Sequence, residues 1–195
     1  MQRRQGTKQV QNRARKLTGF VRVGVVGLVL LIAGCGASGP EVTETADGFK
    51  RVEAIDMTLQ WRVDGDYAEF IVTSPRQGWV GVGFDPDVGM RGADIIIGYV
   101  ATDGTVVIED HYGTALTNHE SDTSLGGTDD VEINGGETTS EGTRLHFQRP
   151  LDSGDQYDRP LVPGETHKIM LAHGGARDLT SDHGTRSRTS FDVEF

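Results

Sequence analysis

The chain has 195 residues, of which 35% are hydrophobic, and a formal net charge of −10 at pH 7. This length suits one folded domain with an appendage. The acidic balance argues against nucleic acid and against an anionic membrane surface as partners of the folded part.

Residues 1–34 have the pattern of a secretory signal. The first 22 residues carry seven basic side chains and no acid, and the apolar stretch VGVVGLVLLIAG follows at 23–34. About 12 apolar residues are too few to span ~30 Å of hydrocarbon as a helix. Cys35 is the only cysteine, and Ile-Ala-Gly precedes it as in the lipobox of prokaryotic lipoproteins. The sequence predicts a lipidated Cys35 that anchors the exported chain to the outer face of a prokaryotic membrane, with ordinary signal cleavage nearby as the alternative.

Removal of residues 1–34 leaves 12 basic and 29 acidic side chains, a formal charge of −17. Such a surface suits either a high-salt habitat or a basic redox partner, and composition does not separate the two. Residues 35–48 are small, polar and acidic, which predicts a flexible tether after the lipidated cysteine. The folded domain is expected to cover 49–195.

From residue 49 onward, short apolar or alternating runs recur with Gly and Asp turns between them. No segment beyond the signal shows a helical apolar period over ten or more residues. Nine short strands indicate an all-β sandwich. They are expected at 55–63, 67–73, 78–84, 93–100, 105–112, 167–174 and 188–195, with two more around a glycine turn within 130–151.

The strand GWVGVGF alternates in a way that places Trp79, Gly81 and Gly83 on one face. Glycines inside a strand mark close approach of a ligand or tight packing of the sheet, and the strand alone favours packing. Asp94 opens the next strand, where a carboxylate is typical of a turn or an edge.

The histidines and serines of the chain form no recognised catalytic or zinc motif. Two histidines, His173 and His183, occupy glycine-flanked positions near the C-terminus, and four are expected at the surface: His111, His119, His146 and His167. Met90 stands in a polar, glycine-flanked loop, where a core-filling side chain has little to fill. A thioether and an imidazole are the axial pair of many low-spin haem proteins, which makes Met90 and a late histidine candidate ligands.

Several blocks of the sequence occur in the order typical of one family. These are GWVGVGF, the loop methionine, GADIIIGYV, FQRPLDSGD and LAHGGARDLTSDHGTRSR. Over residues 55–195 the chain resembles the DOMON domain family. The resemblance implies an immunoglobulin-like β-sandwich that binds either haem b or a sugar.

In haem-binding members the ligands are a methionine before the GADIIIGYV-type strand and a histidine near the C-terminal end. By this resemblance, Met90 and His183 would be the axial ligands, with His173 as the rival histidine. The haem pocket would be lined by Trp79, Gly81, Gly83, Ile96 and Tyr99.

The resulting expectation is a membrane-tethered, extracytoplasmic b-type haem protein that transfers electrons and is not itself an enzyme. Haem-binding members are often fused to a flavin dehydrogenase or a membrane cytochrome, and this chain has neither, so a separate redox partner is expected. The alternatives are a carbohydrate- or other ligand-binding module without redox activity, and a structural or adhesion role.

Overall fold

A computed structural model describes residues 39–195, so the predicted signal sequence and Cys35 lie outside the described residues. The described part contains two six-stranded antiparallel sheets and one short helix, α1 (Asp122–Leu125). The first sheet has the spatial order β1 (Val42–Glu44), β2 (Lys50–Ala54), β3 (Met57–Asp64), β4 (Tyr67–Ser74), β10 (Gly142–Pro150) and β9 (Glu132–Thr139). The second has the order β12 (Arg188–Glu194), β11 (Thr166–His173), β5 (Val80–Phe84), β6 (Asp94–Val100), β7 (Val106–Ala115) and β8 (Asn118–Ser121).

The all-β sandwich and the nine predicted strands are confirmed, and three further strands, β1, β2 and β8, were not predicted. Strand β1 lies within residues 35–48, so the prediction that this whole segment is a flexible tether is wrong. All three side chains of β1 are exposed, and only one of the five in β2 is fully buried. Short strands of this kind carry no apolar alternation, which is the signal that sequence patterns provide.

The main core lies between the two sheets and is built from alternate residues of each strand. Phe70 on β4 is central to it, because its ring centroid lies 5.3 Å from those of both Phe84 and Phe147. Val80, Val82 and Phe84 of β5 all face this core. The intervening positions of β5 therefore point away from the first sheet, onto the outer face of the second.

A second, smaller apolar cluster covers that outer face. Its buried members are Trp79, Ala93, Ile95 and Ile97, with Met90 and Met170 packed against them. The second sheet is thus apolar on both faces, which explains why β6 is a nearly continuous apolar run. Within residues 39–195, the structure contains no helix of the length and apolarity needed to cross a membrane.

Candidate ligand-binding cavity

A cavity of about 770 Å³ lies on the outer face of the second sheet. Its floor is formed by β5, β6 and β11, and its rim by three segments: the loop at 86–90, the β7–β8 turn and the loop at 179–183. The volume falls within the ~300–1,000 Å³ typical of small-molecule and cofactor sites.

The floor of the cavity is flat where β5 crosses it, because Gly81 and Gly83 have no side chains. A Cβ at Gly83 would lie 2.7 Å from Cε of Met170, so Met170 covers this glycine closely. A Cβ at Gly81 would meet only ordinary contacts, the nearest being 3.6 Å away on the Trp79 ring. A side chain at Gly83 would therefore displace Met170, whereas a methyl group at Gly81 would fit in ordinary van der Waals contact with Trp79 and Ile97.

Met90 lies on the cavity rim, half-buried, in a loop whose backbone is held on both sides. Its N–H donates to the carbonyl of Leu116 at 3.1 Å, and its carbonyl accepts from the N–H of Ala93 at 3.0 Å. The loop also packs directly onto β7, since a Cβ at Gly113 would lie 1.7 Å from the Met90 carbonyl oxygen.

The loop is also tied to the segment after β10 through Arg159. Nε of Arg159 donates to the carbonyl of Gly92 at 2.7 Å, and its guanidinium lies 3.3 Å from Asp87. These contacts fix the backbone of the loop from which the Met90 side chain projects.

His183 reaches the same cavity from the segment that joins β11 to β12. Its ring stands edge-on to Trp79, with the ring centroids 6.2 Å apart. Its Nδ1 atom is buried and has no hydrogen-bond partner among the described residues. Buried polar nitrogens are seldom left unpaired, so this atom is the kind of group that a bound ligand satisfies.

His173, the rival histidine, ends β11 and is turned the other way. It follows the alternation of Ile169 and Leu171, whose side chains face the core between the sheets, and it does not line the cavity. Burial lowers the pKa of His173. The structure thus brings Met90 and His183 into one cavity and keeps His173 out of it.

Two of the predicted pocket residues are elsewhere. Ile96 is 1% exposed in the core between the sheets, so its placement in the pocket was wrong by one position. Its neighbour Ile95 faces the cavity, as the pairing of Ile95 with Gly83 requires. Tyr99 packs against the outer cluster but does not line the cavity, whereas Trp79, Gly81 and Gly83 do.

The histidines predicted at the surface are largely buried, and two of them line the cavity. His111 on β7 is 7% exposed, and its Nδ1 lies 2.9 Å from Nδ1 of His119 on β8. Burial lowers the pKa of His111, and burial together with the neighbouring His111 and His183 lowers the pKa of His119 to about 4. These shifts favour the neutral form of both rings near pH 7. The sequence does not predict β8, so it gives no sign that His119 pairs with His111 on β7.

The other two histidines form polar pairs away from the cavity. His167 is 5% exposed, accepts from the N–H of Val162 at 3.0 Å and lies 2.6 Å from Asp85. His146 is half-buried, 2.6 Å from Glu69. The surface prediction was wrong for His167 because its alternation along β11 places it on the core side.

The fold is a β-sandwich domain whose outer-face cavity has an apolar floor, a thioether and an imidazole, features typical of small-molecule sites. The chain belongs to the DOMON domain family, whose model matches residues 54–174. The matched range ends before His183, so the assignment of His183 to the site rests on the geometry of the cavity.

Among curated proteins, the chain is 28% identical over 135 residues to mouse DBH-like monooxygenase protein 1, covering 66% of this chain and 21% of that protein. It is 25% identical over 118 residues to MOXD1 homolog 2 of Drosophila melanogaster, covering 60% of this chain and 15% of that protein. The chain thus spans about a fifth or less of these relatives.

Two solved structures share the fold. The cytochrome b domain of pyranose dehydrogenase from Coprinopsis cinerea superposes with a TM-score of 0.54 at 17% identity, covering 79% of this chain and 88% of that one. The cytochrome domain of cellobiose dehydrogenase from Myriococcum thermophilum has a TM-score of 0.55 at 10% identity, covering 80% and 88%.

Proposed function

We propose that this protein binds haem b in the outer-face cavity and transfers electrons, with Met90 and His183 as the axial ligands. One observation carries the proposal. Met90 and His183 are far apart in the sequence, yet both side chains line one cavity, where Nδ1 of His183 is buried and unpartnered among the described residues. The similarity in fold to two cytochrome domains supports the same reading.

The residues present fit a haem. The flat floor at Gly81 and the apolar side chains of Trp79, Ile95 and Met170 suit the face of a macrocycle. A thioether and an imidazole are both haem-iron ligands, and filling both axial positions favours electron transfer over oxygen chemistry.

The chain's own residues hold this site in place. The hydrogen bonds of Met90 to Leu116 and Ala93 fix the backbone from which the sulfur projects. Trp79 packs edge-on against His183 and limits the orientation of its ring. The neutral His111–His119 pair closes the rim beside β7 without adding a charge. These contacts pre-organise the two ligands, which lowers the cost of binding.

Sugar binding has less support in the structure. Carbohydrate sites expose aromatic faces to the ligand, but Trp79 is the one Trp, Tyr or Phe that lines the cavity in the described part of the chain, and it is only 4% exposed. A colourless protein that binds oligosaccharide would reverse this preference.

The setting of the protein is part of the proposal. A lipid on Cys35 would hold the domain at the outer face of a prokaryotic membrane, and the tether up to residue 41 would give it reach. The charge of −17 after removal of residues 1–34 would steer a basic redox partner toward the domain.

Replacement of the histidine tests the ligand assignment. We expect His183→Ala to weaken haem affinity by more than tenfold, because loss of a group that merely orients a metal ligand already costs about 10–100-fold. The measurement is haem titration of the purified full chain, followed in the Soret region.

The control is His146→Ala, since His146 bonds to Glu69 away from the cavity, and it should leave the titration unchanged. Loss of haem with His173→Ala or His119→Ala, and retention with His183→Ala, would contradict the assignment.

A further inference from the structure

Four buried aspartates meet one arginine in the space between the sheets, next to the Met90 loop. Asp94 opens β6, directly after Ala93, whose N–H bonds to the Met90 carbonyl. Asp94 and Asp122 are 0% exposed, Asp110 is 1% exposed and Asp158 is 7% exposed. Asp94 was expected at a turn or an edge, and the structure buries it completely because it follows the core-facing alternation of Ile96.

The arginine neutralises only part of this cluster. Arg149 on β10 is 0% exposed, pairs with Asp94 and lies 3.3 Å from Asp158. Asp94 also accepts from the N–H of Arg159 at 3.0 Å, and Asp158 accepts from the hydroxyl of Ser153. These contacts engage one oxygen each of Asp94 and Asp158, and the other oxygen of each is buried without a hydrogen-bond partner among the described residues.

The other two carboxylates, Asp110 and Asp122, form no hydrogen bond within the described residues. Both oxygens of Asp110 and both oxygens of Asp122 are buried without a hydrogen-bond partner in the part of the chain that the structure describes. A buried carboxylate without a partner is costly, and the cost is relieved by a counter-charge, a metal or a proton. Burial and the neighbouring Asp94 and Asp158 raise the pKa of Asp110 to about 10, so a bound cation would displace a proton from this carboxyl.

The carboxylate oxygens also have the spacing of a cation site. One oxygen each from Asp94, Asp110 and Asp158 lies within 4.8 Å of the other two. At that limit, the point equidistant from the three oxygens is about 2.8 Å from each, so a shift of a few tenths of an ångström gives the 2.3–2.6 Å of calcium–oxygen bonds.

We propose that this cluster binds a hard divalent cation, with calcium preferred, through the carboxylates of Asp94, Asp110 and Asp158. Nitrogen and sulfur ligands are missing from the set, which selects against zinc and copper. Calcium accepts irregular oxygen sets, whereas magnesium demands near-octahedral geometry and gives up its waters reluctantly. Together with Arg149, a divalent cation brings three positive charges to the four carboxylates.

The site has a structural consequence for the cavity. A cation bound at Asp94 fixes the start of β6, and Ala93, the preceding residue, holds the Met90 carbonyl. Calcium therefore stabilises the loop that carries Met90, although the site itself lies on the other face of the sheet. This cation site does not depend on whether haem binds.

The test is thermal unfolding of the purified, haem-free full chain after EDTA treatment, with calcium chloride added back against magnesium chloride at equal ionic strength. We expect saturating calcium to raise the melting temperature by about 5–10 °C, and magnesium to raise it much less. Isothermal titration calorimetry should give one calcium per chain.

Variants separate a site from a general salt effect on an acidic protein. Asp110→Asn should abolish the calcium response while leaving the EDTA-treated protein about as stable as the wild type, because neither oxygen of Asp110 has a hydrogen bond to lose within the described residues. Asp64→Asn, at an exposed position of β3, should keep the full response. If Asp110→Asn fails to fold, Asp122→Asn, which removes charge beside the proposed ligands, should weaken calcium binding in calorimetry. No calcium-dependent shift in the wild type, or an equal shift in Asp110→Asn, would overturn the proposal.

Discussion

Met90 is placed by its backbone and not by its side chain. Two hydrogen bonds and the close approach of Gly113 fix the main chain at this residue, while the thioether remains half-buried on the cavity rim. Methionine is a flexible filler of irregular gaps in cores. A flexible side chain on a rigid loop has a different use, because the loop sets the position of the sulfur within a small volume.

Replacement of this sulfur tests its role. Under the proposed function, Met90→Ala should keep haem bound through His183 but lower the reduction potential by on the order of 100 mV, since a thioether ligand raises the potential. The measurement is a redox titration followed by optical absorbance.

The matched control is Met170→Leu, which replaces the other cavity-lining methionine with a side chain of similar volume. Its potential should stay near that of the wild type. A drop with Met170→Leu and none with Met90→Ala would assign the sulfur ligand to Met170.

The three histidines of the cavity differ in the state of their nitrogens. Nδ1 of His111 and Nδ1 of His119 are engaged with each other at 2.9 Å, whereas Nδ1 of His183 is buried without a partner among the described residues. Binding a ligand at Nδ1 of His111 or His119 would first break their mutual bond. His183 has no such bond to lose, so it is the better candidate among residues that share one cavity.

At the scale of the element, strands β5 and β6 show what the sequence can predict. The alternation of GWVGVGF placed Trp79, Gly81 and Gly83 on the cavity face, where the structure has them. In β6 every residue is apolar from Ile95 to Ile97, so alternation does not indicate which of them faces the cavity. The prediction therefore named Ile96 in place of Ile95. The phase of β6 comes from its pairing with β5, which a single sequence does not contain.

The β7–β8 hairpin shows the opposite case. Strand β8 has only four residues, none of them fully buried, and no hydrophobic pattern predicts it. Its pairing with β7 nevertheless brings His119 onto His111 and forms one rim of the cavity. The aspartate cluster was missed for a related reason, because its four members come from β6, β7, α1 and the segment after β10.

Gly113 tests how the β7 strand supports the Met90 loop. We expect Gly113→Ala to lower the free energy of unfolding by about 1–3 kcal/mol, because the new Cβ would lie 1.7 Å from the Met90 carbonyl oxygen and the loop would have to shift. Chemical denaturation measures this cost.

The control for Gly113 is Gly175→Ala, since a Cβ at Gly175 meets nothing within 4 Å. This variant should stay within about 0.5 kcal/mol of the wild type. Equal stability of both variants would show that the loop does not depend on its contact with β7.

At the scale of the whole molecule, the sandwich separates stability from function. The core between the sheets holds the fold together, and the outer face of the second sheet carries the cavity. Substitutions in the cavity therefore test binding with limited effect on the main core. The aspartate cluster includes the first residue of β6, Asp94, and the residue before it, Ala93, donates a hydrogen bond to the Met90 carbonyl.

The central claim is that this cavity binds haem through two protein ligands, and an absorption spectrum tests it most directly. The full chain, purified after expression with haem available, should show a Soret band when oxidised and a sharp α-band when reduced with dithionite. The reduced spectrum should not change under carbon monoxide, because Met90 and His183 would occupy both axial positions under the proposed function. A colourless protein, or a reduced spectrum that shifts fully on addition of carbon monoxide, would contradict the claim.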